Sequence, residues 1–216
     1  MFVLVFANGK IAGIDWLKVY LRDARAIIAA NGGAQHILAA GRQPDVIIGD
    51  MDSLPAEEQN QMRISGVQII NHPVDKDETD LELALNYAFE NYDADILVMG
   101  ALGGRLDQTL ANILLLADAK FSGRRIEIRE AHQRAWLVEK STRIQANIGD
   151  LVSLIPIGGD VHVAGTSGLK WPLQDERLIF GGSRGISNVL TNEVAEITLK
   201  SGRLICVLSD GQRIDE

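Results

Sequence analysis

Short apolar runs punctuate the first part of the chain: Phe2–Phe6, Ala26–Ala30, Val46–Ile48, Val67–Ile70, Ile96–Met99 and Ile126–Ile128. Apart from Gln68 and Glu127 they carry no polar residue, as expected for strands buried on both faces of a parallel sheet. Between them Leu81, Leu85, Ala88 and Phe89 recur at helical spacing, and so do Leu106, Leu110, Ile113, Leu114 and Ala117. Strand and helix in alternation predict a three-layer α/β/α domain around a mostly parallel sheet.

From about residue 133 the helical period disappears. Trp136–Val138, Leu151–Ile157, Val161–Ala164, Arg177–Phe180, Val194–Leu199 and Arg203–Leu208 are short strand-like runs separated by Gly, Asp, Asn or Ser. That rhythm predicts an all-β sandwich or barrel. The expected domains are therefore 1–132, α/β, and 133–216, all-β, with a compact join and no internal repeat.

Composition narrows the function. With 216 residues, 46% of them hydrophobic, the chain can build real cores, which excludes wholesale disorder. A net charge of −8 argues against a general nucleic-acid surface, so a phosphate ligand would need a local metal and a few cations. The single cysteine, Cys206, excludes a disulfide framework within the chain and a Cys-rich zinc site. Phe2–Phe6 is too short for a membrane span and has no basic leader before it, so a soluble, cytoplasmic protein is expected. His36, His72, His132 and His162 are scattered, without metal-ligand spacing.

The candidate chemistry is acidic. Asp50 and Asp52, in Gly49-Asp50-Met51-Asp52-Ser53, follow an apolar run directly. Asp75, Asp77 and Asp80 follow another, and Asp107 follows a third through Gly100-Ala101-Leu102-Gly103-Gly104-Arg105. Ligands of open parallel sheets bind outside the carboxyl ends of the strands, so three strands bring acids to one edge. Paired carboxylates suit Mg²⁺, which takes oxygen ligands together with substrate phosphates. Each acid also has a plainer reading. Thr79-Asp80-Leu81-Glu82 matches a capping box, and Asp80 and Asp107 could simply favour helix N-termini. Arg105 and Lys76 interleave cations suited to phosphate contact or to surface pairing. No Walker A or G-x-G-x-x-G pattern is present, and Ser53 has no evident base.

Taken in order, Gly49–Ser53, Asp77-Glu78-Thr79-Asp80, Gly100–Gln108, Gly168-Leu169-Lys170-Trp171-Pro172-Leu173 and Ser183-Arg184-Gly185-Ile186-Ser187-Asn188 resemble the thiamine pyrophosphokinase family over nearly the whole chain. The resemblance implies an ATP:thiamine diphosphotransferase with an α/β catalytic domain and a β-sandwich thiamine-binding domain. It also implies a homodimer with shared active sites. By motif match, Asp50, Asp52 and Asp80 would lie near Mg²⁺ and the phosphates. Asn31, Asp77, Thr79, Arg105 and Asp107 would position ATP or stabilise the transferring group. Trp171, Ser187 and Asn188 would hold thiamine. The family commonly has an acid in the turn that here reads Asn31-Gly32-Gly33, so any metal contact at Asn31 should be weaker or absent. Competing readings are a Mg²⁺-dependent nucleotide or diphosphate hydrolase and a non-catalytic thiamine-binding protein.

Overall fold

The computed structural model describes residues 1–52 and 55–211. Ser53 lies outside them. Two compact units divide the chain, Met1–Ala131 and His132–Glu216.

In the first unit the apolar runs become β1 (Phe2–Phe6), β2 (Ala26–Ala30), β3 (Val46–Gly49), β4 (Gln68–Asn71), β5 (Asp95–Met99) and β6 (Ile126–Arg129). They pair in parallel in the order β6-β5-β1-β2-β3-β4. The chain steps outward from β1 to β4, then crosses back to lay β5 beside β1. Loops leaving β1 and β5 therefore run in opposite directions, and the switch opens a crevice at the carboxyl ends.

Helices α1 (Leu17–Asp23), α2 (Ala34–Ala39) and α3 (Ala56–Ile64) bury Leu17, Leu21, Ile37 and Met62 in one cluster with Leu4, Phe6 and Ile47. Helix α4 (Asp80–Asn91) lies across β1, β2 and β3 and buries Leu81, Ala84, Leu85 and Ala88 outside that cluster. Successive strand residues point to opposite faces. β1 thus feeds Leu4 and Phe6 to one layer and Val3 and Val5 to the other, all at 0% exposure. This is why its sequence does not alternate.

Helix α5 (Leu106–Leu115) departs from the expected pattern. Asn112 is its buried residue, while Leu106, Leu110 and Leu114 are 73%, 52% and 57% exposed. The helical period is there, but much of its apolar stripe faces away from the core.

The second unit contains β7 (Gln133–Val138), β8 (Ser141–Gln145), β9 (Leu151–Pro156), β10 (Val161–Ser167), β11 (Gln174–Leu178), β12 (Asn188–Val189), β13 (Val194–Ser201) and β14 (Leu204–Ser209). They form two antiparallel layers, β12-β9-β14-β7 and β11-β10-β13-β8. Trp136, Val152, Leu154 and Cys206 of one layer share a core with Val163, Ala195 and Ile197 of the other, which makes a sandwich.

Three strands differ from expectation, the short β12 among them, which none of the expected runs covers. The run Arg177–Phe180 is displaced: the strand is Gln174–Leu178, and Ile179 and Phe180 leave it exposed. β8 was too polar to read as a strand, because Ile144 alone is buried among its five residues. Pairing with β13 makes it one. No helix among the described residues is long and apolar enough to cross a membrane.

Candidate functional site

At the switch point, the loops after β1, β2, β3, β4 and β5 surround a cavity of about 580 Å³ with the first turn of α4 and residues of α5. The loop after β1 is zipped to the loop after β5. Ala7 N donates to Met99 O at 2.9 Å, Gly9 N to Gly100 O at 2.7 Å and Lys10 N to Leu102 O at 3.2 Å. A Cβ on Gly9 would stand 2.3 Å from Gly100 O, so this approach requires glycine.

The acids meet on the opposite wall. Asn31 follows β2 with φ 46°, a left-handed conformation that asparagine tolerates well. Its Nδ2 lies 2.8 Å from Asp50 Oδ1, 2.9 Å from Asp52 Oδ1 and 3.2 Å from Asp80 Oδ2. Asp50 and Asp52 reach the same point because Met51 between them turns left-handed, at φ 60°. That conformation costs about 1–2 kcal/mol for a residue with a Cβ. Full burial of a methionine side chain contributes about 1.5–3 kcal/mol, and Met51 is only 5% exposed, so its anchoring offsets the strain.

Asp80 arrives from the first turn of α4. The capping reading holds as well, since Thr79 Oγ1 accepts from Glu82 N at 3.2 Å. Capping orients the helix, and the orientation delivers the acid. Lys76 Nζ meets Asp80 Oδ1 at 2.7 Å with both side chains largely covered.

Other expected site residues lie away from the point where the three acids meet. Arg105 lines the cavity but pairs with Asp107, Nε to Oδ1 at 3.1 Å, and both side chains are exposed. The Arg105 guanidinium holds the Asp107 carboxyl below its usual range. Asp107 is neither in the lining nor hydrogen-bonded to Asn31. Thr79 lines the cavity, whereas Asp77 is exposed outside it.

Several residues escaped the sequence reading. Asn8, Lys10, Gln108 and Asn112 line the cavity. Asn112 donates to Ala101 O at 2.8 Å, while its Oδ1 is buried with no partner among the described residues. The only signal was Asn8-Gly9-Lys10 directly after the first apolar run. Glu130, just beyond β6, carried no signal. Its carboxylate accepts from the backbone N–H groups of Leu102 and Gly100, and its Oε1 is buried without a partner among the described residues. Burial pushes this carboxyl up to about 7, against the pull of those two donors.

In the sandwich unit, Trp171 is 47% exposed, and Lys170 Nζ sits 4.7 Å from its ring centroid. Asn188 is buried beside it. Its Oδ1 accepts from Trp171 N at 3.0 Å and its Nδ2 donates to Trp171 O at 2.6 Å. The amide is thus committed to holding the Trp171 backbone. Ser187 is exposed, with φ 55°.

A doubly wound α/β unit with an acidic crevice at its switch point, followed by a β-sandwich, defines a two-part enzyme. Family models match both parts: the thiamin pyrophosphokinase catalytic domain at residues 17–128 and the thiamin pyrophosphokinase vitamin B1 binding domain at residues 140–204. The chain belongs to the thiamin pyrophosphokinase family. It is 30% identical over 204 residues to thiamine pyrophosphokinase 1 of Oryza sativa subsp. japonica, covering 82% of this chain and 76% of that one. It is 28% identical to thiamine pyrophosphokinase of Bacillus subtilis, over 95% of this chain and 97% of that one. The crystal structure of thiamine pyrophosphokinase from Bacillus subtilis superposes with a TM-score of 0.85 at 26% identity, covering 97% of this chain and 99% of that one.

Glu130 generates a pH prediction. Its folded pKa of about 7 lies above the ordinary 4.5, so folding takes up a proton between those values. Its ionisation should therefore weaken the folded state progressively as pH rises through that window. Glu130→Gln should show little change against the parent near the lower end and a stability advantage that grows across the window and levels off above about 7. Urea denaturation of both proteins at acid and mildly alkaline pH reads this, and an equal difference at both would exclude it.

Proposed function

We propose that this chain transfers the diphosphate of ATP to the hydroxyl of thiamine, giving thiamine diphosphate and AMP. One observation carries the assignment of the reacting centre: Asp50, Asp52 and Asp80 converge on a single point beside the cavity. In this reaction the thiamine oxygen bonds to the β-phosphorus, the α–β bridge breaks towards AMP, and the hydroxyl proton leaves. Such transfer needs positioning and charge stabilisation more than covalent catalysis.

The acidic group fits a divalent cation by its chemistry. All its donors are hard carboxylate oxygens, and three carboxylates against the Lys76 ammonium leave two formal negative charges. No set of three acid, His or Cys side chains stands open as a metal cage among the described residues. The Asn31 amide nitrogen stands within 3.2 Å of an oxygen of each of the three carboxylates. Asp50, Asp52 and Asp80 would hold Mg²⁺, which when bound neutralises phosphate charge. Asn31, Thr79 and Arg105 line the same cavity and would orient ATP, with Asp107 steering the guanidinium. Asp77 would reach the nucleotide from outside the lining.

Trp171 suits thiamine because its ring already accepts a cation, Lys170, and a thiazolium is another. Asn188 would serve by fixing the Trp171 backbone, and Ser187 by offering an exposed hydroxyl. The same reading makes the protein a cytoplasmic homodimer with shared active sites. Its support is the apolar stripe Leu106, Leu110 and Leu114 on α5, the helix that also carries Gln108 and Asn112 into the cavity.

The deciding assay incubates the protein with ATP, MgCl₂ and thiamine. Thiamine-dependent AMP release with thiamine diphosphate is expected; phosphate release indifferent to thiamine would mean hydrolysis instead. Asp52→Asn should lower turnover by more than the roughly 10–100-fold typical for loss of an outer-shell partner, with an unchanged far-ultraviolet spectrum. Trp171→Ala should weaken thiamine binding by about 1–2 kcal/mol in calorimetry, and unfolding instead would make the ring structural. Leu110→Glu should convert a dimer to a monomer in sedimentation velocity; an unaltered sedimentation coefficient would remove the α5 stripe from the interface.

A further inference from the structure

The Asn31 side chain is satisfied at one end only. Its Nδ2 has two protons for three carboxylate acceptors, at 2.8, 2.9 and 3.2 Å, and its Oδ1 is buried without a partner among the described residues. The residue is 7% exposed, so solvent offers the oxygen little help. A buried acceptor without a donor is costly, and a half-turn about the last side-chain torsion would exchange the two ends. The carboxylates decide between the two orientations. Turned the other way, a carbonyl oxygen would face three anionic oxygens, with the Lys76 ammonium held on the other oxygen of Asp80. The nitrogen therefore points inward, and the oxygen bears the loss.

A divalent cation among the carboxylates reverses this balance. Positive charge repels the N–H dipole and attracts the amide oxygen, which is a good ligand for hard cations. We propose that Asn31 is a metal-linked amide switch: Nδ2 holds Asp50, Asp52 and Asp80 together in the metal-free protein, and the amide rotates to present Oδ1 when a divalent cation binds. This rests on the reading that the acidic group takes such a cation. Two consequences follow from the switch. The site is pre-shaped before the ion arrives, because N–H donors offset repulsion that would otherwise spread the carboxylates. The ion must also displace those hydrogen bonds, so an acid at this position would bind it more tightly while leaving the empty site less stable.

The test compares thermal midpoints of the parent, Asn31→Asp and Asn31→Ala, each with EDTA and with saturating MgCl₂, in the absence of nucleotide. In EDTA, Asn31→Asp should melt at least about 2–4 °C below the parent, and MgCl₂ should raise it by more than it raises the parent. Asn31→Ala, which removes the donor without adding charge, should also fall in EDTA and recover in part with MgCl₂. A purely structural side chain would lose equally in both conditions, and that outcome overturns the switch. Should Asn31→Asp fail to fold in EDTA, the parent chain labelled with ¹⁵N-asparagine decides alone. Its Asn31 side-chain amide pair, assigned by its loss in Asn31→Ala, should be exchange-protected in EDTA and shift saturably with MgCl₂. Magnesium binding in calorimetry with that pair unmoved overturns the switch and leaves the cation reading standing. No magnesium binding overturns both.

Discussion

Repulsion among three carboxylates is the constraint around which the α/β unit is arranged. Unit charges about 4 Å apart near a protein surface interact by about 4 kcal/mol, and the covered Lys76 ammonium pairs with Asp80, one of the three. Lys76 alone is therefore a weak answer to Asp50, Asp52 and Asp80 together. The fold responds with Asn31, whose amide stands where the three oxygens meet. A left-handed turn at Met51 and a capped helix start at Thr79 bring the acids there. Each device serves an arrangement that would be unfavourable without a cation or a donor at its centre.

The sheet supplies the place. Because β5 returns beside β1 after the chain has reached β4, the loops at that junction separate and leave room for a ligand. Backbone bonds from Gly9 and Lys10 to the Gly100–Leu102 segment hold one wall, and Glu130 grips the same segment from below. This wall is held by backbone groups, and Lys10 and Ala101 of it line the cavity.

Readings that compete in the sequence coexist in the structure. Asp80 belongs to a capped helix turn and to the acidic group at once, because a helix N-terminus can aim a first-turn carboxylate only if the cap has set its axis. Asn188 is likewise bound to the backbone of Trp171, and through that bond it orients the ring. The α5 stripe is the converse case. Leu106, Leu110 and Leu114 have the spacing of a core face, yet they lie exposed, as expected of an apolar helix face awaiting another surface.

Period and burial made the strands of the parallel sheet legible, because a strand covered on both faces has no polar alternation. The sandwich was legible from turn residues at short intervals, except where a polar strand such as β8 owes its conformation to a partner rather than to its own residues. Asp50, Asp52 and Asp80 could be picked out because acids following strands at one sheet edge have little structural duty there. Asn8, Asn112 and Glu130 could not, since a lone amide or acid after a strand has many ordinary uses. The sequence by itself determined the two architectures and the acids able to meet at the sheet edge, because local periodicity and strand order are properties of the chain. Only the tertiary structure decided that Asn31, not Asp107, shares the point where three of them meet. That choice depends on the angle at which loops leave the sheet, which distant strand pairings set and no local stretch of sequence encodes.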